Sequence, residues 1–130
     1  MKVIFWVITS ILLAVLMLVS GIYHFWNPGF YLPLVPKYLP FSLAIVYLSG
    51  IVEILLGIVT LFLNQKYKKY GLFGIFLLMV IFLPIHIEDA LKDQPVIGSQ
   101  TAAQVRLVFQ FLLIWLSWKS YQFTSLAKSI

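Results

Sequence analysis

Cysteine is absent from this 130-residue chain, which excludes disulfides, thiolate metal sites and any dithiol relay carried by the chain alone. Charge is scarce as well: 10% of the residues are charged, against about 25% in an average soluble domain. With 62% of its residues hydrophobic, the chain has too little polar surface to stay dissolved and reads as a membrane protein. The net charge of +5 does not point to nucleic acid, because the lysines are scattered at the ends of apolar runs and form no basic stripe. The length fits one compact unit, a single domain over residues 1–130.

What the chain does contain is four long apolar stretches. The predicted fold class is all-α, a polytopic membrane four-helix bundle, with helices at about 3–25, 41–63, 70–87 and 102–123. The first run lacks an A-x-A-like cleavage site and is long enough to cross a bilayer, so it reads as an uncleaved helix. The last span needs more than Leu107 to Trp118, because twelve residues rise only about 18 Å against a hydrocarbon core of about 30 Å. Thr101-Ala-Ala-Gln104 has the form of a capping box, which starts that helix before Arg106 and lets Lys119 snorkel from its inner end. Lys2, Lys66, Lys68, Lys69, Lys119 and Lys128 fall at the two ends and in the middle link, with Lys37 and Lys92 in the other two links. The positive-inside rule then places both termini in the cytoplasm.

Two of the apolar runs carry the same local text, SGIYH at Ser20–His24 and SGIVE at Ser49–Glu53. Ser20, Gly21, Ser49, Gly50 and Gly57 are small enough for helix backbones to approach closely, which makes packing the simplest reading of Ser-Gly. The ionisable residue that follows each copy needs another reason. Glu53 lies near the centre of its span, where an acidic residue costs about 2.5–3.5 kcal/mol and should face the bundle interior with a partner. Arg106 and Gln110 share a face of the last helix and are the candidate partners. Counting rises puts Glu53 about 16 Å deep, Gln110 about 13 Å and Arg106 about 7 Å, so Arg106 must reach inward or act through Gln110. Such a pair can serve the helix register or a ligand.

His24 and His86 close the first and third helices towards the outer face. Pro84 cannot donate to the carbonyl of Val80, so a kink or an unwound turn is expected there. The two histidines could each be satisfied by water or backbone, or could ligate a haem or a metal. No second-shell pattern supports the haem or metal reading. The outer link, WNPGFYLPLVPKYLPF, sets Pro28, Pro33, Pro36 and Pro40 among Trp26, Phe30, Tyr31, Tyr38 and Phe41. Its prolines exclude a regular helix, leaving an interfacial aromatic belt or a semi-rigid lid over the polar residues.

Taken together, SGIYHFWNPGFYLPLVPKYLP and YLSGIVEILLGIVTLF resemble the DoxX-like family of small four-helix membrane proteins. The residues that carry the resemblance are Ser20, Gly21, His24, Phe25, Pro28, Phe30, Tyr31, Pro36, Leu39, Pro40, Ser49, Gly50, Glu53 and Gly57. Leu83, set between Phe82 and Pro84, and His86, in place of an asparagine, depart from the family pattern. The resemblance implies a four-helix fold, a place in a bacterial inner membrane, and association with quinone-linked oxidation, oxidative-stress systems or receptor assembly.

The expected site is an outward-facing polar pocket built on His24, Glu53, His86, Arg106 and Gln110, with Tyr31 and Trp26 from the outer link. Its expected occupant is a small amphipathic molecule, a quinone or a lipid head group. The alternative is an assembly factor or accessory subunit, in which Glu53 and Arg106 pair with the helix of a membrane partner or a second copy. A catalyst in its own right is not favoured, since no nucleophile stands beside a base and no metal motif or cofactor signature is present.

Overall fold

The computed structural model describes residues 1–127; Lys128, one of the lysines used for orientation, lies outside them. The described chain folds as α1 (Lys2–Trp26), a one-turn α2 (Pro28–Tyr31), a 3-10 turn (Leu32–Leu34), α3 (Ser42–Phe62), α4 (Gln65–Ala90) and α5 (Gln100–Leu126). Among the described residues, four helices are long and apolar enough to cross a membrane. The shortest of them, α3, has 21 residues. At about 1.5 Å per residue it matches a hydrocarbon core of about 30 Å. At most 28% of any span's apolar window is buried, so most of that surface faces outward, as a lipid-solvated helix requires.

Three boundaries differ from the sequence reading, each for a local reason. Helix α4 begins at Gln65 rather than residue 70, because the Asn64 side chain accepts the backbone N–H of Lys66 and caps the helix. Helix α5 is capped by Ser99, whose hydroxyl accepts from Ala102 N at 3.1 Å, and not by Thr101. Pro84 sits inside α4 without ending it, and the helix runs on to Ala90. The outer link is also more regular than its prolines suggested. Pro28 occupies the first turn of α2, where its missing N–H is not needed, and Pro33 plays the same part in the 3-10 turn.

The helices are arranged as a ring in the order α1, α3, α4, α5, with α1–α3 and α4–α5 the most extensive contacts and α1–α5 the sparsest neighbouring edge. Helix α1 meets α3 through the two Ser-Gly copies themselves. A Cβ on Gly21 would stand 2.7 Å from the Gly50 carbonyl oxygen, and one on Gly50 would stand 2.7 Å from the His24 Cβ. About two turns further along, a Cβ on Gly57 would meet the Ala14 carbonyl at 2.9 Å. Since position 21 faces 50 while 14 faces 57, the two helices run antiparallel at backbone contact. The apolar core, Leu13, Met17, Leu72, Ile75, Leu78, Met79 and Leu113, fills the centre of the ring. Both ends of the described chain lie at one end of the bundle, where Met1 and Lys2 share a pocket with Lys119.

Candidate functional site

The antiparallel Ser-Gly contact fixes where the ionisable residues go. Glycine at 21 and 50 draws the backbones together, and the side chains three residues later, His24 and Glu53, are then held beside each other. His24 Nδ1 lies 3.6 Å from Glu53 Oε2, with the two side chains 5% and 2% exposed. The imidazole is fixed from two further directions. Its Nδ1 stands 2.8 Å from the Ser20 carbonyl, which can only accept, so the Nδ1 position carries the proton and Nε2 is the acceptor in the neutral ring. Tyr31 stacks on the other face, with ring centroids 3.6 Å apart and planes within 15°. Burial pushes the Tyr31 phenol above its ordinary pKa, which keeps it a neutral hydroxyl.

These groups line a cavity of about 300 Å³ beneath the outer link. Its walls come from all four long helices and from the link, which contributes Phe30, Leu34, Val35, Pro36 and Leu39. Six of the seven ligand-binding candidates are brought to this one cavity: His24, Tyr31, Glu53, His86, Arg106 and Gln110. Ser20 and Ser49, singled out for packing, line it too, and the Ser49 hydroxyl donates to the Val46 carbonyl of its own helix. Trp26 is not part of the wall; it is 84% exposed and points away from the bundle. Apart from the polar groups, the lining is apolar, with Leu16, Met17, Phe82, Phe109 and Leu113 prominent.

The expected partnership of Glu53 with Arg106 is overturned. Arg106 donates to Asp89 Oδ2 at 2.7 Å, and the Asp89 side chain is 2% exposed. The other Asp89 oxygen accepts from Val96 N at 2.6 Å, so this carboxylate ties α4, the α4–α5 loop and α5 together. Depth explains the choice. Arg106 lies about 9 Å from the start of α5, and a long guanidinium side chain turned outward reaches the end of α4 rather than the bundle centre. Gln110 does not bond Glu53 either; its amide donates to the Met79 carbonyl at 2.7 Å, next to the carbonyl that Pro84 leaves without a donor. Asp89 is the residue that sequence reasoning missed. Its signal was present, as the one carboxylate that a helical hairpin brings level with an arginine one and a half turns into the next helix.

Glu53 is therefore left without a hydrogen-bonded partner on Oε2. His86 Nδ1 and Arg106 Nε are also buried and unpartnered, and both residues belong to the same cavity. Native interiors satisfy nearly all buried polar atoms, and three of the six unpartnered ones among the described residues gather at this cavity, the others being the hydroxyls of Thr60, Ser120 and Ser125 elsewhere. Among the described residues no group of three histidine, aspartate or glutamate side chains is gathered closely enough to hold a metal ion.

A family model described as a domain of unknown function, DUF8561, matches residues 13–121. The chain belongs to that family. The matched stretch includes every cavity-lining residue, from Leu16 to Leu113, so the pocket lies wholly within the family domain. No curated protein and no solved structure matches the chain.

Proposed function

We propose that the bundle is set in a membrane, with both termini on the cytoplasmic side, and that its cavity binds a small amphipathic molecule, a quinone or a lipid, as an accessory component of a redox-linked system. The observation that carries the binding reading is Glu53 Oε2, an unpartnered carboxylate oxygen on a side chain 2% exposed, in the wall of an apolar cavity. A buried polar atom left unsatisfied costs about 1–3 kcal/mol, and a ligand hydrogen bond would remove that penalty. His24, fixed by the Ser20 carbonyl and the Tyr31 ring, presents Nε2 as a second polar contact. The volume of about 300 Å³ suits a ring-sized or headgroup-sized moiety. The redox association and a bacterial inner membrane rest on the resemblance of the Ser20–Gly57 region to DoxX-like proteins.

The rival reading, in which Glu53 and Arg106 reach out to a partner's helix, is less well supported. Glu53 is buried inside the ring and Arg106 already has Asp89. The test is to purify the protein in a mild detergent and analyse its organic extract by mass spectrometry. The binding reading expects one amphipathic species in stoichiometric amount, lost in Glu53→Gln. A bare protein that instead retains a membrane partner through both purification and that substitution would favour the assembly reading.

A further inference from the structure

At the end of the bundle opposite the cavity's lid, a second pocket of about 530 Å³ is lined by Met1, Lys2, Phe5, Trp6, Trp115 and Lys119. It lies on the α1–α5 edge, the sparsest contact between neighbouring helices of the ring. Trp6 and Trp115 meet across that edge with ring centroids 6.2 Å apart. Their indoles are amphipathic groups of the kind that settle at a membrane–water boundary.

Among the described residues the charges in this pocket have no acidic partner. Lys119 is half-buried and about 10 Å short of the end of α5, so it is not simply a terminal charge in water. Among the described residues neither Lys2 nor Lys119 forms a salt bridge. The four acidic side chains of the chain lie elsewhere, Glu53 in the middle of α3 and Glu88, Asp89 and Asp93 at the other end of the bundle. A cleft lined by Lys2 from α1 and Lys119 from α5, together with Trp6 and Trp115, fits an anion that also carries an apolar tail.

We propose that this pocket seats the phosphate head group of an anionic phospholipid, held between Lys2 and Lys119, with its acyl chains lying along α1 and α5 past Trp6 and Trp115. The site is separate from the Glu53 cavity and stands on the bundle being in a bilayer, not on what the cavity binds.

Tryptophan quenching in reconstituted vesicles tests it. Trp26→Phe and Trp118→Phe leave Trp6 and Trp115 as the two reporters of the four tryptophans in the chain. Vesicles symmetric in both leaflets, carrying phosphatidylcholine with either brominated phosphatidylglycerol or brominated phosphatidylcholine, then report which lipid occupies the pocket. The expected result is a preference for phosphatidylglycerol of about thirtyfold, since each of the two lysines near an anionic surface is worth about 1 kcal/mol. Lys2→Gln with Lys119→Gln should bring the two lipids close to parity, and Lys2→Arg with Lys119→Arg should restore the preference. Lys66→Gln with Lys68→Gln removes the same charge from the same end and should leave the preference in place. Parity in the unsubstituted pocket, or equal loss in the Lys66 and Lys68 variant, would overturn the proposal. So would erasure of the preference by excess inorganic phosphate at constant ionic strength, which would make this a site for the free ion.

Discussion

Removing the Asp89 carboxylate should damage the fold more than any other single change at the site. The group is 1% exposed and serves two clients at once, Arg106 at 2.7 Å and the Val96 N–H at 2.6 Å. Asp89→Leu leaves a guanidinium whose side chain is only 16% exposed without its anion. Breaking a buried pair from one side costs about 3–5 kcal/mol, and the lost Val96 bond adds about 1 kcal/mol. Even the low end shifts the ratio of folded to unfolded protein by a factor of about 100. Asp89→Asn keeps an acceptor for Val96 and should lose less. Arg106→Leu alone should also destabilise, and combining it with Asp89→Leu should recover part of the loss, because apolar replacement of both partners is often neutral. Reversible unfolding in mixed detergent micelles gives the four corners of the cycle. Additive losses within about 0.5 kcal/mol would refute the pairing. Rescue of Arg106→Leu by Glu53→Leu instead would mean that the guanidinium reaches the bundle centre after all.

Three further outcomes are expected. Gly21→Ala should destabilise by about 1–3 kcal/mol in the same unfolding assay, because its Cβ would stand 2.7 Å from a backbone carbonyl that cannot step aside. Gly29→Ala, whose nearest neighbour is a side-chain oxygen at 3.6 Å, should stay within about 0.5 kcal/mol. Tyr31→Leu, which removes the ring stacked on His24, should weaken ligand retention measured by mass spectrometry, while Tyr31→Phe keeps the stack and most of the retention. Single cysteines placed in this cysteine-free chain should react with an impermeant thiol reagent in intact cells at position 35 and not at 67; the opposite pattern would reverse the proposed topology.

The helices were legible because hydrophobic length alone dictates them, and the glycine contact because a Ser-Gly pair on each of two spans leaves little else to do. Their consequence was less visible. Ser-Gly-Ile written twice turns out to be one contact seen from both sides, with Gly21 against Gly50, and the ionisable residues follow from it. What could not be read was which charge meets which. Depth counting brought Gln110 level with Glu53, yet Gln110 turns to the Met79 carbonyl beside the proline gap. The Met79 carbonyl, a backbone acceptor on another helix, leaves no mark in the sequence at the position of the glutamine. Asp89 stands in sequence among Glu88, Lys92 and Asp93, past the helix end predicted at about residue 87, whereas one more turn of helix buries it and supplies Arg106 with an anion. Trp26 shows the converse error. An aromatic beside the histidine looked like part of the pocket, but it follows His24 by two positions on a helix and so faces away.

On the proposed reading Glu53 is held in the cavity wall for a ligand and not for the stability of the fold. The most direct measurement is the unfolding free energy of Glu53→Leu against the unsubstituted protein, both stripped of bound lipid by detergent exchange. A carboxylate whose Oε2 accepts no hydrogen bond and whose ionisable neighbour, His24, stands 3.6 Å away predicts a variant at least as stable as the parent, since leucine removes a desolvated polar group and fills its space. A loss of about 3 kcal/mol or more, the size expected when a paired buried charge is broken, would show that Glu53 is tied into the structure like Asp89 and is not held there for a ligand.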